Sequence, residues 1–287
     1  DHLQDDEGAQ SSLIALLREQ PDHESAIDSL YTVVERTQDW TSFAAVYEDV
    51  IYELGELDKE LHHLLSLAVV YEEKLEDSDN AIKTYQRVYA AASDSEPALL
   101  ALERLYTQIE DWRSLLEILR SRYEVSLNSN DGDSDQSVEM DEGSEANSES
   151  SNDSESNSRF SALSESLLLR ISELYEYTLQ DPHEAIASHQ ELLAYLPERY
   201  DSFEALSRLF EQVEQWSELV QSLESLLSNT ELEDDSRLGY LTKLADTFYQ
   251  HLERYDELLI VCDDLLKLSS QDAQAISYLE HLVQLEE

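Results

Sequence analysis

Internal repetition limits the fold of this chain more than any other feature. Three similar phrases each end in tryptophan: SLYTVVERTQDW at Trp40, ALERLYTQIEDW at Trp112 and ALSRLFEQVEQW at Trp216. The first interval is 72 residues and the second is 104, an excess of 32. The excess falls where the composition changes abruptly, over the 31 residues 128–158. A finer series runs through Val34, Tyr71, Tyr106, Tyr175, Phe210, Phe248 and Val283, in steps of 37, 35, 69, 35, 38 and 35. Nine or ten residues after each of the first six stands Phe43, Ala81, Leu115, Ala185, Leu219 or Leu258. The unit is therefore about 35 residues long, and two slightly different units alternate. Repeats of this size bury their apolar faces only against neighbouring copies.

Each unit reads as two antiparallel helices. Leu64, Leu67, Ala68, Tyr71 and Leu75 recur at helical spacing, as do Ala81, Ile82, Tyr85, Val88 and Tyr89. The polar run EDSD separates them and offers Asp79 as an N-cap. In the fourth unit Asp181 is placed to cap, Pro182 suits the first helical position and Pro197 stops the second helix. Only five glycines and four prolines occur, which favours helix over turn-rich β structure. The tryptophans read as packing residues, and burial of Trp112 predicts a cost of about 3–5 kcal/mol on truncation to alanine.

At these positions the chain resembles the tetratricopeptide repeat family. The fourth unit matches best, through Ile171-Ser172, Tyr175, Ala185, His189 and Pro197. The second matches through Leu67-Ala68, Tyr71, Ala81 and Tyr85, with Ser93 in place of the closing proline. The odd-numbered units depart further, with Phe43, Leu115 and Leu219 where the family has a small residue. The resemblance implies an all-α fold, a right-handed superhelix of antiparallel helix hairpins (a TPR-like α-solenoid), interrupted by one long disordered acidic loop. The expected organisation is the second helix of a preceding repeat over 1–21 and repeats one to three over 22–127. The insertion follows over 128–158, then repeats four to six over 159–270 and the first helix of a seventh over 271–287. Further repeats are expected to flank this region.

The insertion holds ten acidic residues and no lysine or arginine. With almost no apolar side chains it cannot offset its ordering entropy. Asp131, Asp133, Asp135, Ser137, Glu139 and Glu142 have the spacing of a calcium loop, but Gln136 stands where such a loop needs glycine. Serine-rich acidic tracts produce such spacings by composition alone, so no metal site is expected there.

The search for catalytic chemistry is negative. His183-Glu184 begins like a zinc-protease helix, but Ala187 replaces the second histidine. His62 and His63 are adjacent and face about 100° apart on a helix, so they cannot chelate as an i,i+4 pair. Cys262 is the only cysteine, which excludes an intrachain disulfide. It lies on an apolar stripe and reads as a buried small hydrophobe. No phosphate-binding glycine loop, nucleophile elbow or dinucleotide fingerprint occurs. No enzyme activity, catalytic residue, cofactor or metal is expected.

Charge narrows the partners. Sixty-five acidic residues against 18 lysines and arginines give a net charge of −47, and the repeats without the insertion still carry −37. Such a surface repels phosphate, so nucleic acid is not an expected partner, nor is an anionic membrane. Family resemblance places residues flanking the repeat aromatic on a concave, partner-facing surface. The expected contacts there are Glu73, Arg104, Gln108, Glu173, Tyr177, Arg208, Gln212 and Asp246. They point to a non-enzymatic scaffold for a protein or peptide, basic or amphipathic in character. Two other readings fit the same residues: a structural or assembly module of a bacterial envelope, secretion or motility protein, and a regulatory domain attached to an enzyme. Adaptation to high salt would also explain the acidity. The sequence leaves the compartment open between cytoplasm and an exported bacterial setting, since it starts at Asp1 rather than methionine.

Overall fold

The computed structural model describes residues 2–20, 23–54, 57–129, 160–229 and 232–285. Among these residues all regular structure is helical. In order the helices are α1 (His2–Glu19), α2 (Glu24–Thr37), α3 (Trp40–Leu54), α4 (Leu57–Val69), α5 (Ser78–Ala91), α6 (Glu96–Gln108) and α7 (Trp112–Ser129). They continue with α8 (Ala162–Glu173), α9 (Pro182–Tyr195), α10 (Tyr200–Gln212), α11 (Trp216–Asn229), α12 (Asp234–Thr247), α13 (Tyr255–Leu268) and α14 (Ala273–Leu285). Residues 1–125 and 126–287 form two compact units. Within each, a helix packs mainly on those before and after it in sequence.

The alternation of units has a hydrogen-bond origin. After α2, α6 and α10 the chain turns tightly. Gln38, Glu110 and Glu214 take left-handed backbone with φ near 59°, 58° and 57°. In two of these turns the sixth residue closes back on the repeat aromatic, Asp111 N–H on Tyr106 O at 3.0 Å and Gln215 N–H on Phe210 O at 2.9 Å. That is the 6→1 bond of a Schellman ending. After α4, α8 and α12 the helix instead widens into a π turn, Val70–Lys74, Leu174–Leu179 and Phe248–Leu252. The left-handed residues then fall one place later, at Glu76, Gln180 and Glu253. The closing bonds also span one more residue: Asp77 N–H to Tyr71 O at 2.9 Å, Asp181 to Tyr175 at 2.9 Å and Arg254 to Phe248 at 3.1 Å. The extra residue is the difference between the nine- and ten-residue spacings in the sequence.

Both series form the core. Val34, Tyr71, Tyr106, Tyr175, Phe210 and Phe248 are buried, as are Phe43, Ala81, Leu115, Ala185, Leu219 and Leu258. Cys262 is buried too, and burial pushes its thiol pKa up. Burying a large apolar side chain contributes about 1.5–3 kcal/mol, so each hairpin is held mainly by these contacts.

Four local expectations change. The cap of α5 is Asp77, whose carboxylate accepts from Asn80 N–H at 3.1 Å, because the π turn brings the chain into the helix two residues before Asp79. Trp40 is buried, but Trp112 is half-buried at the first position of α7, so its truncation costs less than a full core deletion. Val283 is 62% exposed on α14, where no later helix packs among the described residues. Helix α7 continues through Asn128 and Ser129. The rest of the expected insertion, including the calcium-like spacing from Asp131 to Glu142, lies outside the described residues. Asp181 does cap α9, accepting from Glu184 N–H at 3.3 Å with Pro182 in the first turn. Trp216 stacks flat on His251, with ring centroids 3.6 Å apart and planes within 9°.

Candidate partner-binding grooves

In the second unit, first helices α8, α10 and α12 line a groove of about 540 Å³, floored by α9. Three of the expected contacts meet there. Glu173 ends α8, Tyr177 lies in the following π turn, and Arg208 projects from α10. Arg208 pairs with Glu176, donates to the Tyr177 hydroxyl at 3.0 Å and holds its guanidinium carbon 5.7 Å from the Tyr177 ring centroid. Two further cations are also matched. Arg199 pairs with Glu165, and Lys243 with Glu211 at 2.9 Å. Glu173, Asp201 and Glu204 line the same groove, so carboxylates outnumber cations along it.

The groove floor contains His189, 6% exposed, with no hydrogen-bond partner at Nδ1. Burial, then the neighbouring Arg208 and Arg199 charges, pulls its pKa down to about 4, so it is neutral near pH 7. Tyr200 and Tyr240 join hydroxyls across α10 and α12, and burial raises the Tyr240 pKa.

The remaining expected contacts are dispersed. Gln212 is exposed beyond the groove on α10. Asp246 is half-buried and accepts from Gln274 and the Tyr278 hydroxyl, which ties α12 to α14. In the first unit Arg104 reaches Glu72 at 2.5 Å, while Glu73 and Gln108 are exposed. Sequence reasoning overlooked Glu72 and Glu176. The available signal was their 104-residue separation, the same as that of Arg104 and Arg208.

The first unit has its own groove of about 740 Å³ between α2, α3 and α4. Tyr31, Phe43, Tyr47 and His63 give it an aromatic wall, Asp28 sits at its edge, and the Tyr47 hydroxyl meets His63 Nδ1 at 2.7 Å. Among the described residues no three histidine, cysteine, aspartate or glutamate side chains gather to hold a metal ion. No described helix is long and apolar enough to cross a membrane.

Residues 64–97 and 98–133 each match the family model for the tetratricopeptide repeat. The first spans Leu64 through Tyr71 and Ala81, the aromatic and small positions of the second hairpin. These two stretches carry the tetratricopeptide repeat pattern.

Solved TPR structures resemble it only loosely. A tetratricopeptide repeat protein from Parabacteroides merdae is 12% identical, with 97% of this chain and 93% of that chain covered and a TM-score of 0.35. YrrB, described as a TPR protein with an unusual peptide-binding site, is 10% identical, covers 83% and 99%, and scores 0.35. TTC0263 from Thermus thermophilus is 13% identical, covers 78% and 99%, and scores 0.28. No curated protein matches the chain.

Proposed function

We propose that this TPR-like chain is a non-enzymatic scaffold whose second-unit groove takes a basic or amphipathic segment of a partner protein. The observation that carries the reading is the lining of that groove. Its three cations are each paired with a carboxylate, Arg199 with both Glu165 and Asp201, and Glu173 and Glu204 add further negative charge on the same surface. The surplus sits in a chain of net charge −47, so a cationic segment is drawn in and oriented before it packs. Tyr177, 62% exposed, gives that segment an aromatic surface to pack against.

A capped nine-residue peptide with three arginines among alanines and serines is a suitable probe. Glu173→Lys should weaken it about fivefold or more at low salt, since a surface charge reversal replaces attraction with repulsion. Glu73→Lys, on the first unit, reports whether the corresponding surface there contributes. An unaltered dissociation constant in Glu173→Lys rejects the groove as the seat.

A further inference from the structure

We propose that Glu176 and the face of Tyr177 form a socket for an arginine side chain of the partner, and that Arg208 fills this socket from within until the partner arrives. The inference rests on the reading of the groove as the seat of a basic segment, and it adds which side chain is read and how.

Burial of the pair is one-sided. The Glu176 side chain is 10% exposed, whereas its partner Arg208 is 54% exposed. A carboxylate that deep needs a cation, because leaving it unpaired is costly. A half-exposed arginine can leave at little cost of its own. Glu204, one turn earlier on the same helix, stands ready to receive it. A glutamate four residues N-terminal to an arginine is the favoured orientation for such a pair. The exchange therefore replaces one guanidinium by another on Glu176 and leaves neither carboxylate bare.

Arg208 also displays the chemistry the socket selects. It meets a carboxylate and an aromatic ring together, with its hydroxyl contact at 3.0 Å and its guanidinium carbon 5.7 Å from the centroid. A planar guanidinium can fork onto a carboxylate and stack on a ring, whereas an ammonium supplies only a point charge. The socket should therefore prefer arginine to lysine.

The first unit contains a natural comparison 104 residues earlier. Glu72 is 16% exposed and Arg104 65%, and Glu72 also accepts from the Tyr85 hydroxyl at 3.2 Å. The position equivalent to Tyr177 is Glu73, so the ring is replaced by a second carboxylate. That copy offers charge without stacking and should take arginine and lysine alike.

The test compares the three-arginine peptide with its lysine counterpart on the full chain and its variants. Arg208→Ala should tighten the arginine peptide about three- to tenfold by vacating the socket, while Arg113→Ala, an exposed arginine in the other unit, should change it less than about twofold. Tyr177→Leu should weaken the arginine peptide about threefold and bring it level with the lysine peptide. Glu176→Gln should cost about tenfold or more. Circular dichroism melts establish that each variant folds, and Arg208→Ala and Tyr177→Leu, at exposed positions, suffice should Glu176→Gln unfold.

The socket is overturned if Arg208→Ala has no more effect than Arg113→Ala, or if the native chain binds both peptides equally. If the peptides still depend on Glu173, the groove reading survives that loss. If neither peptide binds, or Glu173→Lys changes nothing, groove and socket fall together.

Discussion

At the scale of single residues, His189 shows how a core position can carry a liability. It occupies a family packing position on α9, yet its imidazole is buried beside two arginine charges with Nδ1 unpartnered. Its folded pKa, about 4, lies below the ordinary value of 6.5. Between those values the unfolded chain takes a proton that the native state refuses. Stability is therefore full above pH 6.5 and falls as pH drops toward 4. Between pH 7.5 and 5.0 the native chain should lose about 2 kcal/mol more than His189→Leu in denaturant unfolding. Equal losses would mean that His189 is protonated in the fold at pH 5. The groove contacts were partly legible at this scale. Glu173, Tyr177 and Arg208 fall two residues from a repeat aromatic, a spacing that reads directly. Glu176 is the aromatic's immediate neighbour and His189 lies on a second helix, so neither announces a place in the groove until helices are packed.

At the scale of elements, the hairpin turn accounts for the two kinds of unit. The sequence spacing shows nine residues in one and ten in the other, but spacing cannot say whether the extra residue is a loop insertion or a widened helix. The hydrogen bonds from Asp77, Asp181 and Arg254 show the latter. In every one of the six turns the left-handed position holds glutamate or glutamine rather than glycine. A non-glycine residue there costs about 1–2 kcal/mol, partly offset by the greater freedom that glycine loses on folding. Glu110→Gly, at an exposed site with φ 58°, should therefore raise stability by about 0.5–1 kcal/mol in equilibrium unfolding. A destabilised variant would show that the side chain of Glu110 supports the turn. The cap of α5 illustrates the limit of local reading: Asp77 and Asp79 are chemically equal candidates, and only the length of the π turn selects the first.

At the scale of the whole molecule, charge is the dominant property. With 65 acidic residues against 18 basic ones, the helical surface repels itself. Many of the described cations already bind carboxylates, among them Arg104, Arg199, Arg208 and Lys243. Added salt screens the repulsion over a Debye length that shrinks from about 30 Å at 0.01 M to 3 Å at 1 M. The melting temperature should therefore rise between those salt concentrations, even though the individual ion pairs weaken. A flat melting temperature would argue that the acidity is locally compensated and is not tuned to a saline setting. The same series should weaken the arginine peptide, which separates a surface adapted to salt from one adapted to a cationic partner.

The flat contact between Trp216 and His251 has an optical consequence. With ring centroids 3.6 Å apart and planes within 9°, the imidazole covers one face of the indole, so the Trp216 emission reports on that contact. His251→Leu, which removes the stacked ring, should change the Trp216 emission, and an unaltered spectrum would mean that the rings do not stack. The second unit thus carries its own lamp, and changes around that hairpin can be followed by fluorescence without attaching a dye.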